Sequence, residues 1–128
     1  MWTIYWDDKQ LLLDTVEKVM DTVDKLNKEY IEKQPILIRV ENDLGDIMCM
    51  GIGNREGYSV IDFFPFDNGS SKSVEGENVG NGVVCFDMGG YESEFKISNT
   101  IKYRTALDIL RYFLEENTLD GKVNWIDD

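Results

Sequence analysis

Apolar and polar residues alternate at the start of the chain: Trp2, Ile4 and Trp6 are separated by Thr3 and Tyr5, which predicts a strand closed by Asp7-Asp8-Lys9. Asp14-Thr15-Val16-Glu17 has the form of a capping box, with Asp14 accepting from a free backbone N–H and Glu17 reaching back, so a helix is expected to start there. Val16, Val19, Met20, Val23, Leu26 and Tyr30 then recur at helical spacing, with Lys18, Asp21, Lys25, Lys28 and Glu32 on other faces. Pro35 ends that helix near Lys33. Three apolar runs follow, at 36–41, 47–52 and 58–64, joined by turn-forming residues at 42–45 and 53–57, and these predict an antiparallel meander. Residues 67–82 hold four glycines, three serines and three asparagines, and read as a mobile loop. Residues 83–88 and 92–97 predict a second hairpin around Gly89-Gly90. Asn99 or Thr100 is expected to cap a second amphipathic helix, built on Ile101, Ala106, Leu107, Leu110, Phe113 and Leu114 and ending near Asn117. A last short strand is expected over Val123 to Ile126.

This order predicts an α+β fold: a mostly antiparallel sheet of about six to seven strands with two helices packed on one face. Neither an internal repeat nor a linker interrupts it, so residues 1–128 are expected to form a single domain. A hydrophobic content of 42% with 12% aromatics supports a packed core despite the high charge. Phe113 and Trp125 are assigned to that core, because the last helix and strand need large buried side chains to fix them.

Charge narrows the function. Twenty-five carboxylates face thirteen Lys and Arg, a formal −12, and there is no histidine. Such a field repels phosphate backbones and anionic lipid and speeds encounter with a cationic protein surface, so direct nucleic-acid or membrane binding is disfavoured and a basic partner is expected. Without histidine the chain lacks the commonest acid-base group and metal ligand, which argues against an enzyme. The middle of the chain, residues 35–98, carries eleven acids and four bases, and its excess is expected on the open sheet face and its rim. The first ten residues do not resemble a secretory signal and no apolar run is long enough for a membrane span, which predicts a cytoplasmic protein. Cys49 and Cys85 sit in apolar runs and are expected as reduced, buried thiols.

No cofactor or metal is expected. Gly51-x-Gly53-x-x-x-Gly57 leads from strand to strand rather than into a helix, so its amides are not arranged to cradle phosphate. Asp67, Asn68, Glu75 and Glu77 lack the ligand spacing of an EF-hand. Paired carboxylates such as Glu92 and Glu94 arise easily on so acidic a chain, and no catalytic residue is assigned. Tyr58, Phe64, Phe66, Tyr91 and Tyr103 lie near acids in sequence, and interfaces combine aromatic anchors with charges that steer. The candidate partner-binding set is therefore Asp62, Asp67, Glu75, Glu77, Asp87, Glu92 and Glu94 for steering, with Tyr58, Phe64 and Tyr91 as anchors.

The stretch from Gly51 to Phe63, with its Gly-containing turn and Ser59-x-Ile61-x-Phe63 strand, precedes a late helix carrying Ala106 and Phe113 and a closing Val123-Asn124-Trp125. This pattern resembles the first immunity-protein family of bacterial polymorphic toxin and contact-dependent growth inhibition systems. The chain has Asn117-Thr118-Leu119-Asp120-Gly121 where such proteins often carry a Gly-x-Pro-like turn. The resemblance implies a small α+β antitoxin that docks on a cognate protein toxin, such as a nucleic-acid deaminase or nuclease, by covering its basic surface or active-site cleft. It also implies that Ser59, Phe63, Ala106, Phe113 and Trp125 define the fold rather than the contact surface. Two alternatives stand beside it: a small-molecule-binding or carboxylate-based enzyme domain, and a nucleic-acid mimic acting on a DNA-binding protein.

Overall fold

The computed structural model describes residues 1–67 and 69–128; Asn68 of the acidic loop lies outside them. The elements in order are β1 (Trp2–Trp6), β2 (Lys9–Leu13), α1 (Val16–Ile31), β3 (Ile36–Glu41), β4 (Ile47–Ile52), β5 (Tyr58–Ser59), β6 (Ile61–Phe64), β7 (Lys72–Val74), β8 (Val83–Met88), β9 (Tyr91–Lys96), β10 (Ile101–Lys102), α2 (Tyr103–Glu116) and β11 (Trp125–Asp127). The fold is α+β. Among the described residues nine strands form one sheet, with β11-β7-β6-β4-β3-β1-β2 as its main path and the β8–β9 hairpin branching from β3, while β5 and β10 form a separate ladder. All pairings are antiparallel except the bridge between Ile36 of β3 and Asp87 of β8.

Strand alternation sends Ile36, Ile38 and Val40 of β3, Met48, Met50 and Ile52 of β4, and Ile61 and Phe63 of β6 to one side, where α1 and α2 bury them. From α1 come Val19, Met20, Val23, Leu26 and Tyr30; from α2 come Ala106, Ile109, Leu110, Phe113 and Leu114. Phe63 meets Phe113 edge to face at 5.9 Å between ring centres. Trp125 is half-buried against this core, with its indole N–H donating to the Asp120 carbonyl at 3.0 Å.

The other face of the sheet is not fully open. The β8–β9 hairpin folds over one end of it, placing Phe86 on Leu37, Cys49 and Val60 with Val84 and Phe95 around them. Phe86 can lie there because Gly51, which faces the same side, has no side chain: a Cβ built on it would stand 2.7 Å from the Phe86 ring.

Several local expectations shift. The N-cap of α1 is Thr15, whose Oγ1 accepts the Lys18 amide at 3.1 Å, while Asp14 forms an ion pair with Lys18 Nζ instead. The run 58–64 breaks at Val60 into β5 and β6, since Val60 turns toward Phe86 and its carbonyl accepts from Gly51 N–H. The expected loop 67–82 contains β7, a strand paired with β6 on one side and β11 on the other. Neither Asn99 nor Thr100 caps α2: Ile97–Asn99 make a 3-10 turn, Thr100 is buried with its hydroxyl donating to the Ile97 carbonyl, and the helix begins three residues beyond it at Tyr103, with Lys102 at the N-cap. Cys49 is buried as expected, and burial pushes its thiol up to about 12, but Cys85 is only partly buried because it faces away from the sheet on the hairpin.

Candidate functional site

The β8–β9 register sets Asp87 opposite Glu92 and Cys85 opposite Glu94. Phe86, Val84 and Phe95 turn inward, so the alternate residues Cys85, Asp87, Glu92 and Glu94 share the outer side of the hairpin. Three of the candidate acids thus lie on one side of the hairpin, Glu92 and Glu94 exposed and Asp87 half-buried. Partial desolvation, with Glu92 and Glu94 beside it, holds the Cys85 thiol above its ordinary range. Tyr91 lies at the hairpin tip, 81% exposed, opposite the exposed Met88 but on the other side of the ribbon from the acids. Asp87 also accepts from Gly90 N–H in the turn.

Asp62 and Phe64 project from β6 onto the second sheet face. One row across that face reads Tyr5, Arg39, Cys49, Asp62, Ser73 and Ile126, and the next reads Thr3, Glu41, Ile47 and Phe64. Arg39 stacks over the Tyr5 ring at 5.0 Å, and Tyr5 donates to Glu41 at 2.9 Å. Asp62 is partly buried. Desolvation, and after it the nearby Asp128, pushes its carboxyl up to about 6. Beside it a cavity of about 300 Å³ opens between the sheet and the hairpin, lined by Val60, Asp62, Val74, Phe95, Ile126 and Asp128 among others.

The remaining candidates sit apart from both places. Glu77 accepts the Lys102 amide at 2.8 Å, so it serves the N-terminus of α2, and the Thr105 hydroxyl, with this bond second, holds its carboxyl below the usual range. Tyr58 lies on β5 opposite Lys102 of β10. Glu75 is tied to Asn124 through both its amide and its carboxylate. Asp67 accepts from Gly69 N–H in a local turn. Eight of the ten candidates therefore fall into three regions rather than one face, namely the hairpin, the second sheet face and the approach to α2, and Glu75 and Asp67 stand apart from all three. Of the other aromatics near acids, Tyr103 donates to Asp24 of α1 at 2.7 Å, and Phe66 is 74% exposed. Sequence reasoning missed Tyr5, Arg39 and Glu41, whose alternation along β1 and β3 was the available signal. It also missed Phe95, Ile126 and Asp128 as cavity residues, for which no local signal exists.

No family model and no curated protein matches the chain. The positions that carry the immunity-protein resemblance are mostly interior. Ser59 is fully buried and its hydroxyl donates to the Gly51 carbonyl at 2.7 Å, Phe63, Ala106 and Phe113 belong to the main core, and Trp125 packs against it. These side chains hold the turn, the sheet and α2 together. None of them lies in the outer acidic cluster.

No helix is long and apolar enough to cross a membrane. Among the described residues, no three acidic or thiol side chains gather as a metal-ligand group.

Proposed function

We propose that the protein is an immunity protein: it binds a cognate bacterial toxin in the cytoplasm, one that acts on nucleic acid, and neutralises it stoichiometrically by covering a basic surface. The observation that carries this proposal is where the acids are not neutralised. Ion pairs engage Asp14, Glu17, Glu29, Asp43, Glu115 and Asp127, and among the described residues none of the seven candidate acids takes part in one. Asp87, Glu92 and Glu94 share the outer side of a hairpin anchored by Phe86 and Phe95, with Glu92 and Glu94 exposed and Asp87 half-buried. A toxin that holds nucleic acid needs a cationic cleft, and a rigid ribbon of carboxylates is complementary to it. No step of this action requires the chain to catalyse a reaction.

The experiment is a charge reversal with a matched control. Asp87→Lys, Glu92→Lys and Glu94→Lys together are expected to slow association with the toxin encoded beside the gene and to abolish protection of cells expressing it. The same reversal at the exposed Asp21, Glu32 and Glu56 changes net charge equally and is expected to leave protection in place. Equal loss in both variants would show that the hairpin is not the contact surface. Absence of any toxin gene beside this one would remove the proposal altogether.

A small-molecule-binding role is favoured by one observation, the cavity beside Asp62. A saturable ligand there, together with full protection by the hairpin variant, would put that role first.

A further inference from the structure

We propose that the cavity between β6, β7, β11 and the β8–β9 hairpin is a binding site for an aliphatic cation: an ammonium or guanidinium group carried on a short alkyl stem. Its walls have the two chemistries such a ligand needs. Val60, Phe95 and Ile126 supply apolar surface for a stem, while Asp62 and Asp128 supply carboxylates for a charged head. The volume of about 300 Å³ is at the small end of ligand sites and suits a side-chain-sized guest. Phe95 adds a ring face or edge within the same wall.

The two acids are not equivalent. Asp128 is already oriented, since Ser73 Oγ donates to its carboxylate at 3.1 Å and its own amide donates to the Ser71 carbonyl. Asp62 has no such support. Desolvation and the Asp128 charge both act against its ionised form, and no donor or cation among the described residues offsets them. A charge held in that way is costly, and the near-isosteric Asn would remove the cost; a cationic guest explains an Asp at the position.

Other ligand classes fit less well. An anion would meet two carboxylates. A neutral guest would leave Asp62 unanswered. Calcium takes six to eight oxygen ligands, and among the described residues no third acidic side chain joins this pair.

The site does not depend on a toxin partner, so it is tested on the isolated full-length chain. Uniformly 15N-labelled protein is titrated at pH 7.5 with n-butylguanidinium, n-butylammonium, neutral n-butanol and an acetyl-Gly-Arg-Gly-amide peptide. Saturable shifts are expected at the amides of Asp62, Ser73, Val74, Phe95 and Ile126 with the cations, and none with butanol. Asp62→Asn should weaken cation binding about tenfold, the loss of one charge-assisted contact, and Asp128→Asn should weaken it less. Thermal unfolding verifies that both variants are folded. Tighter binding of the peptide than of the free butyl cations assigns the guest as a protein side chain; the reverse assigns a free small amine. Shifts that spread without saturation over Asp87, Glu92 and Glu94, or unchanged binding by Asp62→Asn, would overturn the site.

Discussion

Gly51 and Asp62 face the same side of the sheet and show opposite ways in which one position constrains the whole. Gly51 is required by what lies above it. Added as alanine, its Cβ would come within 3.0 Å of three atoms of the Phe86 ring, and Phe86 is fully buried and cannot move away without lifting the hairpin. Gly51→Ala is therefore expected to destabilise the protein by about 1–3 kcal/mol, the usual cost of overpacking. Denaturant unfolding measures the loss, and reduced hydrogen-exchange protection in β8 and β9 would locate it. Asp62 is tolerated rather than required by the fold. Its folded carboxyl lies at about 6, above the ~3.9 of an unfolded chain, so the native state holds this proton more tightly. Its contribution to stability is complete below pH 4 and is lost as the pH rises through 6. Asp62→Asn is thus expected to match the wild type near pH 4 and to exceed it at pH 8 by on the order of 1 kcal/mol, a figure kept low because the group is partly solvated. Urea unfolding at a series of pH values decides it; parallel curves for the two proteins would mean that Asp62 is not strained by burial.

At the scale of elements, what separates the legible from the illegible is the range of the contact that makes the element. β3, β4 and β8 were readable to the residue because apolar runs bounded by turn residues state their own limits, and α1 was readable because its buried positions repeat at helical spacing. β2 was missed because Leu11-Leu12-Leu13 shows no alternation, and β7 because Lys72-Ser73-Val74 is a strand only through its partners β6 and β11. The candidate site divides in the same way. Alternation placed Glu92 and Glu94 together, but Asp62 joins Asp128 only because β7 lies between β6 and β11. The start of α2 is the clearest case: its N-cap Lys102 has no side-chain cap, and the amide there is served by Glu77, 25 residues earlier. Glu77→Ala is expected to cost about 1 kcal/mol, as loss of a cap does, and Glu77→Gln less, since its amide oxygen still accepts. Thermal unfolding of both variants tests this. It also separates Glu77 from the steering acids, because a fall in partner binding at this position would follow from a loosened helix as well as from a lost charge.

For the whole molecule the decisive quantity is how far its charge acts. A formal −12 with most acids outside ion pairs makes a field that extends over the range set by salt, from about 30 Å at 0.01 M ionic strength to about 3 Å at 1 M. Steering acts before contact, so salt should work on the rate of encounter, while the packing formed after docking should set the rate of escape. Association with the basic partner proposed above is therefore expected to slow by roughly tenfold or more between low and high salt, with dissociation nearly unchanged. Stopped-flow association and surface-based dissociation measure the two separately. The hairpin reversal at Asp87, Glu92 and Glu94 should flatten the salt dependence of association much more than the equal reversal at Asp21, Glu32 and Glu56. Both variants have the same net charge, so any difference between their slopes measures where the field is concentrated. If the slopes coincide, only total charge matters and the hairpin has no special part in steering; if salt acts on dissociation instead, the acids are paired across a formed interface and are not guiding the approach to it.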